Sequence, residues 1–473
     1  MSGLFSALDA ASGALIAYQN SLDVSQNNVT NANTPGYAKQ VPTLQALPFD
    51  LATGLAGGVA SGQPQDTRSE FAETAVRQQT SLLGTFQQIQ TSLQPLQGVF
   101  DATGKSGVSL ALNDLYSAFS AWSTEPDNAN SRTAVVNAAG EVATAFQQGA
   151  SQINSTLNST NQDIQSTLDQ INQAAAAVVS YNAAKARDKT PNAGLDANLN
   201  ATLENLSQLA DVQALHQQDG SVTLLLGGQV PLVIGQQQDQ LKLGFSVPAG
   251  SGFPGNPPVA AVLDSNGTDV SGKVTNGSLA GLLSVRNGTL GSLIGSPSQA
   301  GSLNTLAKGF ADAVNATLAA GSTTLGAPPQ PGPPLFVYGA GPNFASTIAV
   351  NPAITPSQLA AVDPGPPQVS NGTALKLSSL DSNAAYFING QSFSQFFSSL
   401  ATQVGSQISS AATSATAQQQ LVSQAKAVRQ QISGVSLDEE AVRMVQIQSA
   451  YSAASKVVSI VDQLTQDLIN MVQ

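Results

Sequence analysis

The sequence has no cysteine, one histidine and few charged residues. Without cysteine it can form no disulfide, thiolate metal site or cysteine nucleophile, and a lone imidazole, His216, cannot build a multi-histidine metal site. Charged residues make up 10% of the 473 residues, against about 25% in typical soluble domains. Ser, Gln, Asn and Thr must therefore supply most of the surface that contacts water.

The charge that is present is mainly acidic, with 17 basic and 29 acidic residues and a net charge of -12. Binding to a nucleic-acid backbone or an anionic membrane needs a basic surface, so we predict neither as a partner. The first basic residue is Lys39, which leaves no basic region for a secretory signal, and no apolar run reaches the roughly 18 residues of a membrane span. We therefore predict neither membrane insertion nor a cleaved signal peptide.

Apolar residues near the N-terminus repeat at alternating spacings of four and three, the heptad pattern of a coiled-coil helix. This seam consists of Leu4, Leu8, Ala11, Leu15, Tyr18, Leu22, Ser25 and Val29. The helix should end near Thr34, because Pro35 disfavours the helical conformation of the residue before it and Pro35-Gly36 favours a turn. Residues 38–66 are rich in Gly and Pro, which predicts an extended arm.

The middle of the sequence changes from helical to mixed patterning. The apolar seam over 131–187 predicts a helix of roughly 80 Å at 1.5 Å per residue. A helical pattern from Leu195 to Leu215 then precedes a hairpin with a Gly227-Gly228 turn. Further strand-like segments cover 241–247 and 259–263, so this region predicts β content.

The last helix has the clearest start, with Ser436 as the N-cap and Glu439 three residues later. Its seam includes Met444, Ile447, Tyr451, Val458, Val461 and Leu468. Together the patterns predict a mainly α fold, in which long antiparallel helices and terminal coiled-coil helices carry an outer α+β insertion. The predicted domains are an N-terminal coiled-coil helix with an extended arm (1–66), a long-helix rod domain (67–189), an outer mixed α/β insertion (190–390), a returning rod helix (391–434) and a C-terminal coiled-coil helix (435–473).

No group of residues has the spacing of a catalytic, cofactor or metal site. Gly104-Lys105-Ser106 resembles the end of a phosphate-binding loop, but Val99 stands where the first Gly of that loop belongs. Asp438-Glu439-Glu440 open the last helix, where carboxylates are more typical of capping than of glycosidic chemistry or a cation site. We therefore predict a structural protein with no catalytic residue, no cofactor and no metal.

The apolar seams at the two ends of the chain require partners, because fully burying one Leu or Val contributes roughly 1.5 to 3 kcal/mol. In one interpretation the terminal helices simply pair within a monomer. In the other, the seams through Leu4, Leu8, Leu15, Leu22 and Val29 and through the last helix also form contact faces of a polymer. The second is favoured by the near absence of charge around the first helix, since a surface helix normally has a charged, solvated face.

The end of the first helix carries a motif that consists of Asn27, Asn28, Asn31, Asn33, Thr34, Pro35, Gly36 and Tyr37. This motif resembles the N-terminal motif of bacterial flagellar axial proteins, the family of rod, hook and hook-associated subunits. The segment 433–440, with Gln448 and Tyr451 after it, resembles the C-terminus of the hook-associated subunits. Ala38-Lys39 and Ala454 depart from the residues that are common in this family.

The resemblance implies an adaptor at the hook-filament junction that polymerises through its terminal helices. It implies secretion through the flagellar export apparatus, without a cleaved signal peptide, to an extracellular position in the flagellum. It also implies a ring of identical subunits, with the hook protein and the second hook-filament junction protein as neighbours. A cytoplasmic export chaperone would bind the C-terminal helix before export.

Two other functions stay open. Another axial subunit, such as the hook protein, would share both termini, although the helical seam over 131–187 argues against the β-rich domains of hook proteins. A secreted carbohydrate-binding or carbohydrate-hydrolysing protein would need convergent carboxylates, and the acidic residues of the insertion show no such spacing. These residues are Asp239, Asp264, Asp269, Asp312, Asp363 and Asp381.

Overall fold

The computed structural model describes residues 2–50, 55–101 and 103–472, and it describes side chains for residues 5–49, 57–101 and 103–471. The chain divides into two compact units. The first unit consists of Met1–Ser81, Asn172–Asp239 and Gln418–Gln473, and the second of Leu82–Ile171 and Gln240–Ala417. Residues that are far apart in sequence therefore meet within each unit.

Helices dominate the described residues. They are α1 (Ser2–Thr30), α2 (Glu70–Leu93), α3 (Gly107–Thr124), α4 (Ala129–Arg187), α5 (Ala193–Leu209), α6 (Ser278–Leu283), α7 (Gly291–Ile294), α8 (Ser302–Ala320), α9 (Phe344–Thr347), α10 (Gly372–Ser378), α11 (Phe393–Ser433) and α12 (Leu437–Val472). A π-helical turn, Ser284–Leu290, connects α6 to α7. The 59 residues of α4 contain the whole segment 131–187, so the long helix predicted there is confirmed.

The strands are short. They are β1 (Gln40–Val41), β2 (Leu44–Ala46), β3 (Phe49–Asp50), β4 (Leu55–Ala56), β5 (Val59–Ser61), β6 (Gln65–Asp66), β7 (Val212–His216), β8 (Val222–Leu226), β9 (Val230–Ile234), β10 (Gln237–Gln238), β11 (Lys242–Ser246), β12 (Val259–Leu263), β13 (Gly295–Ser296), β14 (Gln299–Ala300), β15 (Phe336–Val337) and β16 (Ala349–Val350). The arm after α1 consists of the nested antiparallel pairs β1–β6, β2–β5 and β3–β4. The largest sheet has the order β10-β9-β8-β7.

The predicted fold class, mainly α with long terminal helices and a mixed insertion, is confirmed. The predicted hairpin is also present, because Gly227 and Gly228 have φ of 55° and 68° between β8 and β9, the conformation of a tight hairpin turn.

The predicted helix from Leu195 to Leu215 is wrong at its end. Helix α5 stops at Leu209, and Val212–His216 pairs along its whole length with β8. Tertiary pairing overrides a weak local helical pattern there. The division into five domains stays a prediction.

The second unit has an aromatic core. Phe119, Trp122 and Phe146 are completely buried. Phe310 of α8 packs edge to face with Phe393 of α11, with ring centres 5.4 Å apart. Because edge-to-face rings add about 0.5–1.5 kcal/mol beyond the area they bury, this core holds α8 in a fixed position.

The first unit contains a network of ion pairs between α2, α5 and α11. Arg429 lies 3.1 Å from Glu73 and 2.6 Å from Glu204, measured between Nη1 and the Oε2 atoms. Glu73 is almost fully buried and also pairs with Arg68 at 2.7 Å. The buried carboxylate is therefore neutralised by two guanidinium groups, as burial of a charge requires.

Candidate functional site

The Asn-rich motif connects the end of α1 to the first strand after it. Asn28 is completely buried, its Nδ2 donates to the carbonyl of Gln40 at 2.8 Å, and its Oδ1 accepts from the amide of Gln40 at 2.9 Å. The Tyr37 hydroxyl lies 3.0 Å from Oδ1 of Asn27 and 2.9 Å from Oδ1 of Asn28. Two consecutive amides thus hold the chain as it leaves the helix, because an amide can satisfy both groups of a peptide unit.

The remaining motif residues build the turn. Asn31 accepts from the hydroxyl of Thr34 at 3.1 Å, and the amide of Tyr37 donates to the carbonyl of Thr34 at 3.1 Å. Gly36 has a φ of 74°, and a Cβ added there would lie 2.2 Å from the carbonyl oxygen of Ala197 in α5. Only glycine fits this contact. Asn33 and Pro35, by contrast, are exposed to solvent.

Lys39 connects the motif to the first turn of α12. Its Nζ lies 2.9 Å from Oε2 of Glu439 and 3.6 Å from Oε1 of Glu440, and its backbone amide donates to the carbonyl of Ser433 at 2.9 Å. Glu440 is completely buried, and neither of its carboxylate oxygens has a hydrogen-bond partner among the described residues. Burial of Tyr37, and secondarily the charge of Glu440, raises the pKa of Tyr37 to about 12, so the hydroxyl stays protonated and can donate.

The predicted cap of α12 is present in a weakened form. The Ser436 hydroxyl accepts from the amide of Glu439 at 3.4 Å. The carboxylate of Glu439 pairs with Lys39, so the segment that follows the Asn-rich motif meets the cap of α12 through a lysine. The sequence signal for this contact is Lys39, the basic residue that follows the motif.

The inner face of α1 is built from small and polar residues. The buried positions are Ala11, Ala17, Ser21, Ser25 and Asn28. Of the predicted seam, Ala11 and Ser25 belong to this line, whereas Leu8, Leu15, Leu22 and Val29 are only half-buried beside it. The side chain of Leu4 lies outside the described side chains. Small residues allow the backbones of neighbouring elements to approach, and α1 indeed packs against both α12 and β5.

Helix α12 has two apolar faces. On the predicted seam, Val461 is buried and Met444, Ile447 and Val458 are half-buried, whereas Tyr451 and Leu468 are exposed. A second set, here called the outer face, consists of Val442, Val445, Val457, Ile460, Leu464 and Met471. At about 100° per residue the mean directions of the two sets differ by roughly 130° around the helix axis. The outer face is exposed, from 46% for Val457 to 76% for Met471.

The single histidine lies away from any such cluster. His216 is part of β7, and its Nε2 lies 3.5 Å from Oε2 of Glu70. Burial acts to raise the pKa of Glu70, but the hydrogen bonds and charges of His216 and Arg77 outweigh it and lower the pKa to about 2. Within the described residues no three His, Asp or Glu side chains converge as metal ligands, and no helix has the length and apolarity to cross a bilayer.

Comparison with known proteins assigns both ends of the chain. A family model described as flagella basal body rod protein matches residues 8–37, and one described as the C-terminal region of the flagellar basal body rod FlgEFG proteins matches residues 429–471. These segments contain the buried Asn28 and Glu440. The terminal helices and the motif that connects them therefore define an axial protein of the bacterial flagellum.

A third family model, the helical domain of flagellar hook-associated protein FlgK, matches residues 93–336. This match covers more than half of the sequence, so the chain belongs to the FlgK family of flagellar hook-associated proteins. It is therefore a structural component of the flagellum at the hook-filament junction, in a family that assembles with itself and with other axial subunits.

Two curated relatives span nearly the whole chain. Flagellar hook-associated protein 1 of Bacillus subtilis (strain 168) is 26% identical over 515 residues and covers 99% of each chain. Flagellar hook-associated protein 1 of Escherichia coli (strain K12) is 24% identical over 558 residues, covering 98% of this chain and 100% of its own. The flagellar hook junction protein FlgK from Burkholderia pseudomallei has a similar fold, with a TM-score of 0.64 at 16% identity over 77% of this chain and 100% of its own.

Proposed function

We propose that the chain is a self-assembling adaptor that joins the flagellar hook to the filament through its terminal helices and catalyses no reaction. The observation that supports this is the outer face of α12. One apolar face of this helix packs against α1, and the outer face remains exposed on another side of the helix. Exposed apolar patches are typical of a protein contact, and neighbouring subunits would cover the outer face.

In this proposal identical subunits form a ring between the hook protein and the second hook-filament junction protein. The chain leaves the cell unfolded through the flagellar export apparatus without a cleaved signal peptide. The lack of cysteine suits this route, because no disulfide can form in the unfolded chain. A cytoplasmic export chaperone covers α12 before export, since the outer face would otherwise favour aggregation.

Serine substitutions on the outer face test the proposal. Val445→Ser, Ile460→Ser and Leu464→Ser, combined in one variant, should leave the secreted monomer folded and abolish filament attachment. The matched control is the triple variant Ile234→Ser, Phe245→Ser and Leu375→Ser, which replaces side chains of similar exposure elsewhere. Filaments per cell, counted by electron microscopy in a flagellated strain lacking its own copy, are the readout. The amount of secreted protein separates failed export from failed assembly, and normal filaments on the α12 variant would refute the proposal.

Hydrogen exchange provides a second test. The inner face of α1 is small and polar, so its pairing with α12 buries little apolar area in the monomer. We expect amides in residues 1 to 35 and 440 to 473 to exchange fast in the purified monomer and slowly in the assembled junction. Equal protection in both states would contradict a role for these helices in assembly.

A further inference from the structure

Arg286 lies in the π-helical turn Ser284–Leu290, where this turn contacts α4 and the segment before β12. The residue is 3% exposed. Its Nε donates to Oδ1 of Asn161 in α4 at 2.8 Å, and its Nη2 donates to the carbonyl of Pro258 at 2.9 Å. Two of the three guanidinium nitrogens are thus held by acceptors from two different segments, which fixes the position of the third nitrogen.

The charge of Arg286 has no counter-ion among the described residues. Both of its acceptors are neutral, and no carboxylate offsets the burial that lowers the pKa of the guanidinium. Arg77, the other buried arginine in the described part of the chain, pairs with Glu70. Asn287, the next residue, holds the backbone of Ala260 through a neutral amide, so contacts of this kind do not require a charge. A buried charge is unfavourable unless an opposite charge compensates it, so the guanidinium needs an anion.

The third guanidinium nitrogen is open to a ligand. Nη1 of Arg286 has no hydrogen-bond partner among the described residues, yet it is not enclosed and reaches solvent. A guanidinium has donors and no acceptor, so only an acceptor can bind there, and an anionic acceptor makes the stronger bond. Because most of the side chain is removed from water, an anion at Nη1 is screened less than one at an exposed arginine.

We propose that Nη1 of Arg286 binds an oxyanion, which supplies the counter-ion that the described residues do not. A carboxylate of another polypeptide and a free inorganic oxyanion both have this chemistry. A second copy of the chain, with its net charge of -12, offers carboxylates in excess of its cations. The site belongs to the second unit and lies outside the terminal helices, so it does not rest on the proposed function.

Side-chain NMR of the full chain, prepared with isotope-labelled arginine, follows the site directly. The chain has seven arginines, and the Nε signal of Arg286 is identified as the one absent from Arg286→Gln. If that variant does not fold, the signal is the one that moves most in Asn161→Asp, because Asn161 accepts from Nε. Acetate replaces chloride at constant ionic strength. We expect a saturable shift of this signal, and a signal that does not respond would overturn the proposal.

A carboxylate built into the chain should replace the ligand. Asn161→Asp places a carboxylate where Nε of Arg286 already donates, so the guanidinium gains an internal counter-ion. Loss of one charge-assisted hydrogen bond should weaken acetate binding about 10- to 100-fold. The matched control is Asn137→Asp, because Asn137 is exposed on the same helix and its substitution changes the net charge equally. Equal acetate binding by the two variants would refute the proposal.

Further probes distinguish the two sources of the oxyanion. N-acetyl-Gly-Asp-Gly-amide presents a carboxylate on a polypeptide, and N-acetyl-Gly-Asn-Gly-amide is its neutral control. Binding of the Asp peptide at least as tight as that of acetate, without binding of the Asn peptide, assigns the site to a carboxylate of another polypeptide. Tighter binding of inorganic phosphate than of either carboxylate assigns it to a free oxyanion. Equal binding of the two peptides would show that the site does not recognise charge, which contradicts the proposal.

Discussion

Replacing Gly36 by alanine tests the contact between the Asn-rich motif and α5. The residue has a φ of 74°, and an added Cβ would lie 2.2 Å from the carbonyl oxygen of Ala197 and 2.7 Å from the amide nitrogen of Ala201. The left-handed conformation costs a residue with a Cβ about 1–2 kcal/mol. Displacing the backbone of a packed helix adds about 1–3 kcal/mol. We expect Gly36→Ala to lower the free energy of unfolding of the first unit by about 2–5 kcal/mol.

Gly220→Ala is the matched control, because Gly220 has a φ of 84° in the same unit and its Cβ would meet nothing closer than 4.0 Å. This variant should lose only the conformational part, about 1–2 kcal/mol. Urea denaturation, followed by circular dichroism and by exchange of amides in α5, measures both losses. If the two variants lose equal stability, the close contact between the motif and α5 does not exist and the assignment of Gly36 is wrong.

Three further substitutions test other contacts of the first unit. Tyr37→Phe removes the hydroxyl held by Asn28 and should lower the free energy of unfolding by about 0.5–1.5 kcal/mol in urea. The pKa of Glu70 is lowered from 4.5 to about 2, so its contribution is present above pH 4.5 and is lost as the pH falls toward 2. Because Glu70 is half-exposed, Glu70→Gln should reduce the loss of unfolding free energy between pH 4.5 and pH 2 by less than about 1 kcal/mol. An unchanged pH dependence would refute the role of this carboxylate. Arg429→Met removes one partner of the buried Glu73 and should cost about 1.5–3 kcal/mol, and a loss below about 0.5 kcal/mol would show that the network is weak.

The sequence was informative where local chemistry determines local structure. Ser436 acts on its own backbone, and α12 begins at the next residue, as predicted. The Pro35-Gly36 pair predicts the end of α1 near Thr34, and the helix ends one turn earlier, at Thr30. The 59-residue helix α4 follows from an apolar seam that repeats over many turns. The Gly227-Gly228 hairpin follows for the same reason, since two glycines with positive φ form the turn without help from the rest of the chain.

Features that depend on distant residues could not be predicted in this way. Spacing placed Leu8, Leu15, Leu22 and Ser25 on one seam, whereas in the structure Ser25 is completely buried and the three leucines are only half-buried. Residue type alone ranks a leucine above a serine for burial and carries no information on how closely other elements pack against α1. The surroundings of the buried Glu440 likewise come from distant residues, since Lys39, about four hundred residues away in the chain, lies 3.6 Å from its carboxylate.

The exposed outer face of α12 constrains how the chain can associate. Its six apolar side chains are about half exposed, so covering them would contribute roughly 0.8–1.5 kcal/mol each, or about 5–9 kcal/mol together. Association of two molecules costs about 4–15 kcal/mol in lost translational and rotational freedom. One contact through this face is therefore marginal. In the ring proposed above, a subunit would contact neighbours on two sides and lose its freedom only once, so an apolar face that is marginal for a dimer would suffice for a closed assembly.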